Sequence, residues 1–108
     1  MATDRDFIEF LEDQTGQTGP IRYRKMFGEY AVYFGAKIVA LVCDNQIFVK
    51  PTQAGQEFLG EITEAPPYPG AKPYYLIDER FEDREWFCEL LRITADSLPP
   101  PKPKKRKS

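Results

Sequence analysis

Five acidic residues fall close together near the C-terminal end of the chain: Asp78, Glu79, Glu82, Asp83 and Glu85. Paired carboxylates can perform general acid–base catalysis, and a cluster of them can bind a hard divalent cation. These acids do not follow the spacing of a Ca²⁺-binding loop, and they precede a helical pattern whose positive end they would stabilise. We therefore interpret the cluster as the start of a helix, with a small active site as the alternative.

The chain contains no histidine and only two cysteines, which limits the catalytic chemistry available to it. Without histidine it lacks the commonest general base and any Ser-His or Cys-His pair. Cys43 and Cys88 are too few for a structural zinc site, and we interpret them as buried thiols in a reducing compartment. We therefore predict no catalytic residue, no metal site and no cofactor, and a protein that is not an enzyme.

Basic and aromatic residues are interspersed at Arg22, Tyr23, Arg24, Lys25, Tyr30 and Tyr33. Such a mixture can bind single-stranded nucleic acid, because rings stack on bases while cations contact phosphates. Strand alternation, however, would place Arg22 and Arg24 on the face opposite Tyr23 and Lys25. The interpretation that we favour is a charged edge strand beside tyrosines of the core.

Charge is distributed unevenly between the first 98 residues and the end of the chain. The last ten residues contain five cations and no acid: Lys102, Lys104, Lys105, Arg106 and Lys107. We divide the chain into a folded domain of residues 1–98 and a disordered, Pro- and Lys-rich tail of residues 99–108. Such a tail could give a weak DNA contact that salt would screen, or it could be a solubilising end.

Hydrophobic periodicity and turn residues predict three helices and five strands. We expect helices over Asp4–Thr15, Thr52–Ile62 and Glu82–Ser97, and strands over Ile21–Met26, Glu29–Phe34, Lys37–Cys43, Gln46–Lys50 and Tyr74–Ile77. Gly35-Ala36 and Asp44-Asn45 are signals for tight hairpin turns. Gly16 is expected to end the first helix in a left-handed conformation. The segment Glu64–Pro73, which has four prolines, is expected to be irregular.

The order of these elements favours an α+β domain with two layers. Four consecutive strands joined by short turns would form an antiparallel meander, whose third strand is apolar on both faces and belongs in the middle of the sheet. We predict an antiparallel sheet of about five strands with helices on one face, in the order α-β(4)-α-β-α. The sequence shows neither a membrane-spanning apolar run nor a signal peptide, so we expect a cytoplasmic location and no membrane partner.

Two segments of the chain resemble the landmarks of one family, the TfoX/Sxy N-terminal domain. The first runs Lys25-Met26-Phe27-Gly28-Glu29-Tyr30-Ala31-Val32-Tyr33, and the second runs Tyr68-Pro69-Gly70-Ala71-Lys72-Pro73. Both occur in the family's order and at a fitting distance. The similarity extends from about Asp4 to Leu98, which is essentially the whole predicted domain.

The resemblance implies a secretion-chaperone-like fold and a non-enzymatic regulatory domain. Family members are small bacterial proteins that regulate competence for DNA uptake and act in transcription beside a DNA-binding activator. Full-length regulators carry a second, helical domain, and this sequence adds only the basic tail after Leu98, so we expect a stand-alone N-terminal domain. The implied partner is a protein such as a transcription activator, and a homodimer is a further option. Direct binding of nucleic acid through the tail is the alternative function.

Most residues of the two motifs are interpreted as structural. Met26 and Phe27 are expected in the core, and Gly28 is expected to permit a turn or bulge between two strands. The prolines should make Tyr68–Pro73 a rigid loop. That loop could present Tyr68 and Lys72 to a partner, or it could simply connect a helix to a strand, which is the interpretation that we favour.

Overall fold

The computed structural model describes residues 4–16, 20–26 and 29–99. The helices are α1 (Arg5–Thr15), α2 (Gln53–Leu59) and α3 (Arg84–Ser97), with a short 3-10 helix (Glu79–Glu82) before α3. The strands are β1 (Ile21–Met26), β2 (Glu29–Phe34), β3 (Lys37–Cys43), β4 (Gln46–Val49), β5 (Glu64–Ala65) and β6 (Tyr74–Ile77). The predicted α+β class is confirmed. Strand β5 is an addition within the segment that we expected to be irregular.

All six strands form one antiparallel sheet in the order β1-β2-β3-β4-β6-β5. Both predicted hairpin turns are confirmed, because Gly35 has a φ of 66° while Asp44 and Asn45 have φ values of 54° and 60°. These turns set the register of the meander, in which Val32 lies opposite Ala40. Strand β3 lies between β2 and β4, so its predicted position in the middle of the sheet is confirmed.

The helices cover one face of this sheet and form the core with it. From the sheet, Val32, Ala40 and Val49 lie side by side, and all three are fully buried. From α3, Phe87, Leu90 and Leu91 are fully buried in the same cluster. Burying one such leucine or phenylalanine stabilises a fold by roughly 1.5–3 kcal/mol. Tyr30 and Phe34 pack against this cluster, because alternation along β2 places them on the same face as Val32.

A buried glutamine joins the helices to one another. Gln14 is only 8% exposed, and its Nε2 donates hydrogen bonds to Phe81 O at 3.1 Å and Glu82 O at 2.9 Å. These bonds hold the 3-10 helix against α1, so that the chain enters α3 from a fixed position. A polar side chain at this depth needs such partners, because an unpaired amide would cost the full penalty of losing its water.

Two helix ends differ from the prediction, each for a local reason. Gly16 has a φ of −64°, so the expectation of a left-handed conformation is wrong. A Cβ at this position would lie 3.0 Å from Glu12 O, and the glycine therefore permits close approach within a right-handed turn. Helix α2 ends at Leu59 because Gly60 has a φ of 79°.

Helix α3 begins at Arg84, two residues later than predicted, because the preceding residues form the 3-10 helix. The Asp83 carboxylate accepts a hydrogen bond from Trp86 N at 3.2 Å and caps the first turn. Thr52 caps α2, since its hydroxyl accepts a bond from Gly55 N at 2.9 Å. None of the described helices is long and apolar enough to cross a membrane.

The C-terminal end of α3 is held by a lysine from the sheet. Lys37 Nζ donates to Ala95 O at 2.6 Å and to Leu98 O at 3.0 Å. The carbonyl groups of a last helical turn have no intrahelical donors, and a positive charge there is favoured by the helix dipole. This contact joins the first residue of β3 to the last turn of the final helix.

Replacing this lysine should destabilise the domain. Lys37→Met keeps the apolar stem of the side chain but removes the ammonium group and both of its hydrogen bonds. We therefore expect the free energy of unfolding to fall by about 1–3 kcal/mol. Urea denaturation measures the change. Lys72→Met is the control, because Lys72 is exposed and should change stability by less than about 0.5 kcal/mol. Equal stability of the two variants would show that the Lys37 contact contributes nothing.

Candidate interaction surface

None of the described helices lies on the second face of the sheet. Five residues cross it side by side, one from each of five strands: Arg24, Ala31, Leu41, Phe48 and Leu76. All five lie outside the core cluster that the described residues form with the helices. Phe48 is nevertheless only 4% exposed, so part of this face is covered by another segment.

A proline-rich turn lies over part of this helix-free face. Ala71 N donates to Tyr68 O at 3.0 Å, and Gly70 has a φ of 87°. Proline at the second position and glycine at the third are the residues that a type II turn requires, which explains the sequence Tyr68-Pro69-Gly70-Ala71. Tyr68 itself is 56% exposed.

A cavity of about 590 Å³ opens between this turn and the sheet. It is lined by Met26, Glu29, Tyr30, Leu41, Cys43 and Tyr68, and we call it the groove. Met26 is 37% exposed, so the expectation that it lies in the core is wrong. Alternation along β1 explains the difference, because Ile21 and Tyr23 pack against the helix-side core and even-numbered residues such as Met26 take the other face.

The two motif segments meet at the groove. Met26, Glu29 and Tyr30 come from the first segment, and Tyr68 comes from the second. The other motif residues within the described chain lie outside it: Lys25, Tyr33, Pro69, Gly70, Lys72 and Pro73. Phe27 and Gly28, and the tail cations Lys102, Lys104, Lys105, Arg106 and Lys107, fall outside the described residues.

The Cys43 thiol, which lines the groove, is uncharged at neutral pH. Burial, and then the carboxylates of Glu29 and Asp44, raise the pKa of the Cys43 thiol from its ordinary 9.0 to about 11. Glu29 Oε1 in turn accepts a hydrogen bond from Asp44 N at 3.1 Å. Burial, followed by the nearby Tyr68 and Cys43, also raises the pKa of Tyr74. A protonated thiol is a weak nucleophile, so these groups suit binding better than covalent catalysis.

Both cysteines are free and buried, as the sequence predicted for reduced thiols. Sequence reasoning missed Leu41 and Cys43 as groove residues. The available signal was that apolar residues occupy both faces of β3. Those on the helix-side face are enough to form the core, so the apolar residues on the other face had no assigned role.

The acidic cluster is divided between helix starts and the solvent. Hydrogen bonds from the backbone and then the side chain of Arg80 lower the pKa of the Asp78 carboxyl, and Asp83 caps α3. Among the described residues, no group of three or more His, Cys, Asp or Glu side chains is placed to hold a metal ion. The positions of Asp78 and Asp83 support the interpretation of the cluster as a helix start.

The basic and aromatic residues of β1 and β2 are divided between the two faces. The Arg22 guanidinium lies 5.0 Å from the centre of the Tyr33 ring, and its Nη2 donates to Gly35 O at 3.2 Å. Tyr23 lies on the opposite face, where its hydroxyl is 3.1 Å from Thr15 Oγ1 and burial raises its pKa far above the usual range. The predicted alternation is therefore confirmed, and Arg22 and Tyr33 share the helix-free face.

Two comparisons relate the chain to known proteins. A model of the TfoX N-terminal domain matches residues 13–98. Over 108 residues the chain is also 46% identical to an uncharacterized 12.7 kDa protein in the trpE 5′ region of Spirochaeta aurantia, in an alignment that covers 100% of this chain and 94% of that protein. Both matches include the two motif segments and every residue that lines the groove.

Cys43 should make the domain less stable in alkaline solution. The unfolded thiol ionises near pH 9.0, whereas the folded thiol stays protonated up to about pH 11, so the free energy of unfolding falls as the pH rises through this interval. Between about pH 8 and about pH 10.5 the loss due to Cys43 should be at most roughly 2 kcal/mol, because solvent in the groove screens part of the effect. Urea titrations at both pH values should show a smaller loss for Cys43→Ala than for the wild type. Equal losses would contradict the prediction, whatever the starting stabilities.

Proposed function

Because the chain belongs to the TfoX N-terminal domain family, we propose that it regulates transcription of DNA-uptake genes by binding a transcription activator in the groove. Membership supports a competence-related regulatory domain. Neither the family nor the spirochaete relative gives a sign of enzymatic activity. The transcriptional role and the partner are the parts that we add, and the groove is where we place the contact.

The exposed apolar side chains of the groove are the observation that carries this proposal. Three large hydrophobic residues of the described chain are exposed: Phe10, Met26 and Tyr68. Two of these three line the groove, where Leu41 and the neutral thiol of Cys43 add further apolar surface. Methionine and tyrosine are enriched in protein interfaces because they bury much apolar area. Their exposure around one cavity favours a partner that covers them.

Size and charge around the groove define the partner segment. A volume of about 590 Å³ lies within the range of roughly 300–1,000 Å³ that is usual for sites enclosing a compact ligand. Arg24 is exposed, and it lies beside Ala31 and Leu41 at the edge of the groove. We therefore expect the activator to insert apolar side chains from a segment that also carries an acidic residue, which Arg24 would attract.

Charging the groove should abolish regulation. In a host strain that lacks its own copy, we expect the Met26→Glu/Tyr68→Glu variant to leave transcription of DNA-uptake genes at the level of the deletion strain. Phe10→Glu is the control, because Phe10 is 42% exposed on α1 and lies away from the groove. That variant should restore wild-type transcription. Transcript quantification gives the answer, with immunoblotting to show equal protein abundance. Full regulation by the groove variant would refute the proposal.

The identity of the bound protein can be tested separately. A photo-reactive amino acid at position 68 should form an adduct with a transcription activator in living cells, whereas the same group at position 10 should not. Mass spectrometry of the purified adduct identifies the partner. An adduct formed only with a second copy of this chain would show that the groove is a homodimer interface and would overturn the assignment to an activator.

A further inference from the structure

Charge is segregated between the two layers of the domain. In the described chain, the helices and their N-cap residues carry thirteen acidic and four basic side chains. The strands carry two acidic and four basic side chains. The negative charge of the chain is therefore concentrated in the helical layer, whereas the strands carry a net positive charge.

Ion pairing follows the same division. Four ion pairs between described residues lie in the helical layer: Arg5–Glu9, Arg80–Asp78, Arg92–Glu89 and Arg92–Asp96. Arg22 belongs to none of these four pairs, and it contacts the Tyr33 ring and the Gly35 carbonyl. Its charge is therefore placed to attract an anionic ligand.

Two cations, Arg22 on β1 and Lys50 directly after β4, lie near the Tyr33 ring. Arg22, Tyr33 and Ile38 lie side by side on β1, β2 and β3. Lys50 follows β4, donates its backbone N–H to Val39 O at 2.9 Å, and lines a cavity together with Tyr33 and Ile38. We call Arg22, Tyr33, Ile38 and Lys50 the cation–aromatic row.

The guanidinium of Arg22 is held in place by two contacts. One side lies over the Tyr33 ring at 5.0 Å, and Nη2 donates to Gly35 O at 3.2 Å. The residue remains exposed, so the other side of the guanidinium is open to a ligand. Nucleic-acid bases stack on arginine planes as well as on aromatic rings, and the outer side of the Arg22 guanidinium, backed by the Tyr33 ring, offers such a plane.

The C-terminal end of the described chain lies at the same place. The cavity beside the row has a volume of about 420 Å³, and Leu98 and Pro99 form part of its wall. Lys37 Nζ holds this end of the described chain through its hydrogen bond to Leu98 O.

We propose that the cation–aromatic row binds single-stranded nucleic acid, with Arg22 and Lys50 contacting phosphates and a base stacked on the Arg22–Tyr33 pair. This inference does not depend on the proposed protein partner. It assigns binding to the sheet rather than to the basic tail.

The charge distribution favours a single strand over the other anionic polymers. A helix that entered the major groove of a duplex would have to come from the acidic layer, which phosphates repel. An acidic peptide could pair with the cations, but it would make no use of an aromatic platform. Sheet faces with exposed rings and cations are a recurring way of binding unpaired bases.

Fluorescence anisotropy of the full-length chain with a labelled oligothymidine of about 20 nucleotides tests the proposal, since this length exceeds the roughly 4–16 nucleotides of known compact sites. Arg22→Gln/Lys50→Gln should weaken binding at low salt by at least about 10-fold. It should also reduce the slope of log affinity against log salt by about 1.4, because each single-strand phosphate contact contributes about 0.7.

Two further sets of variants separate the contributions. Arg5→Gln/Arg84→Gln removes the same charge from the helical layer and should change affinity by less than about 2-fold. Tyr33→Leu should weaken binding by on the order of 10-fold without changing the salt slope. Tyr33→Phe keeps the ring and should bind as tightly as the wild type. Thermal unfolding of each variant verifies that it is folded.

Four results would overturn the proposal. The row variant could bind as well as the helical-layer control, or a duplex of the same length could bind more tightly than the single strand. Polyglutamate could compete as effectively as the oligonucleotide, which would indicate a site for acidic polymers in general. Finally, glutamine at all five tail cations could abolish binding while the row variants leave it unchanged, which would assign it to the tail alone.

Discussion

The packing of α3 against one face of the sheet is the contact on which the rest of the domain depends. Phe87, Leu90 and Leu91 are fully buried against a row of small and branched residues that includes Val32 and Ala40. Because every described helix lies on this side, the other face of the six-stranded sheet has to be covered by something else or remain open. The proline-rich turn covers a part of it, and the uncovered part contains both the groove and the cation–aromatic row.

The same packing accounts for the division of charge. A helix that begins at the surface needs acceptors for its first N–H groups and favours negative charge there, and Asp83 and Asp78 meet this need. Its last carbonyl groups need a cation, which β3 supplies as Lys37. Acids are thereby drawn into the helical layer, and the remaining basic residues are left on the sheet. Segregated charge is thus partly a by-product of helix capping, which a ligand of the sheet could then exploit.

The meander was predictable from sequence because its determinants are local. Gly35 and the Asp44-Asn45 pair specify tight turns, and period-two alternation between them specifies which residues face the core. Strand β5 was not predictable, since it exists only through pairing with β6, as in the bond from Leu76 N to Thr63 O at 2.8 Å. The buried position of Gln14 likewise depends on carbonyl groups far along the chain.

The groove, too, was only partly predictable from the sequence. Alternation in β1 already placed Met26 on the helix-free face, but nothing local indicated that the turn containing Tyr68 would lie over that face. Successive same-face rows of a sheet are separated by about 6.7 Å, and Leu41 of the groove lies in the row next to that of Tyr33 and Ile38, so the groove and the cation–aromatic row adjoin. A protein segment in one and a nucleic-acid strand on the other would be neighbours on a single surface. The first motif segment contributes to both surfaces, Met26 to the groove and Tyr33 to the row. It is therefore better understood as the strand pair that carries part of each proposed binding surface than as a purely structural element.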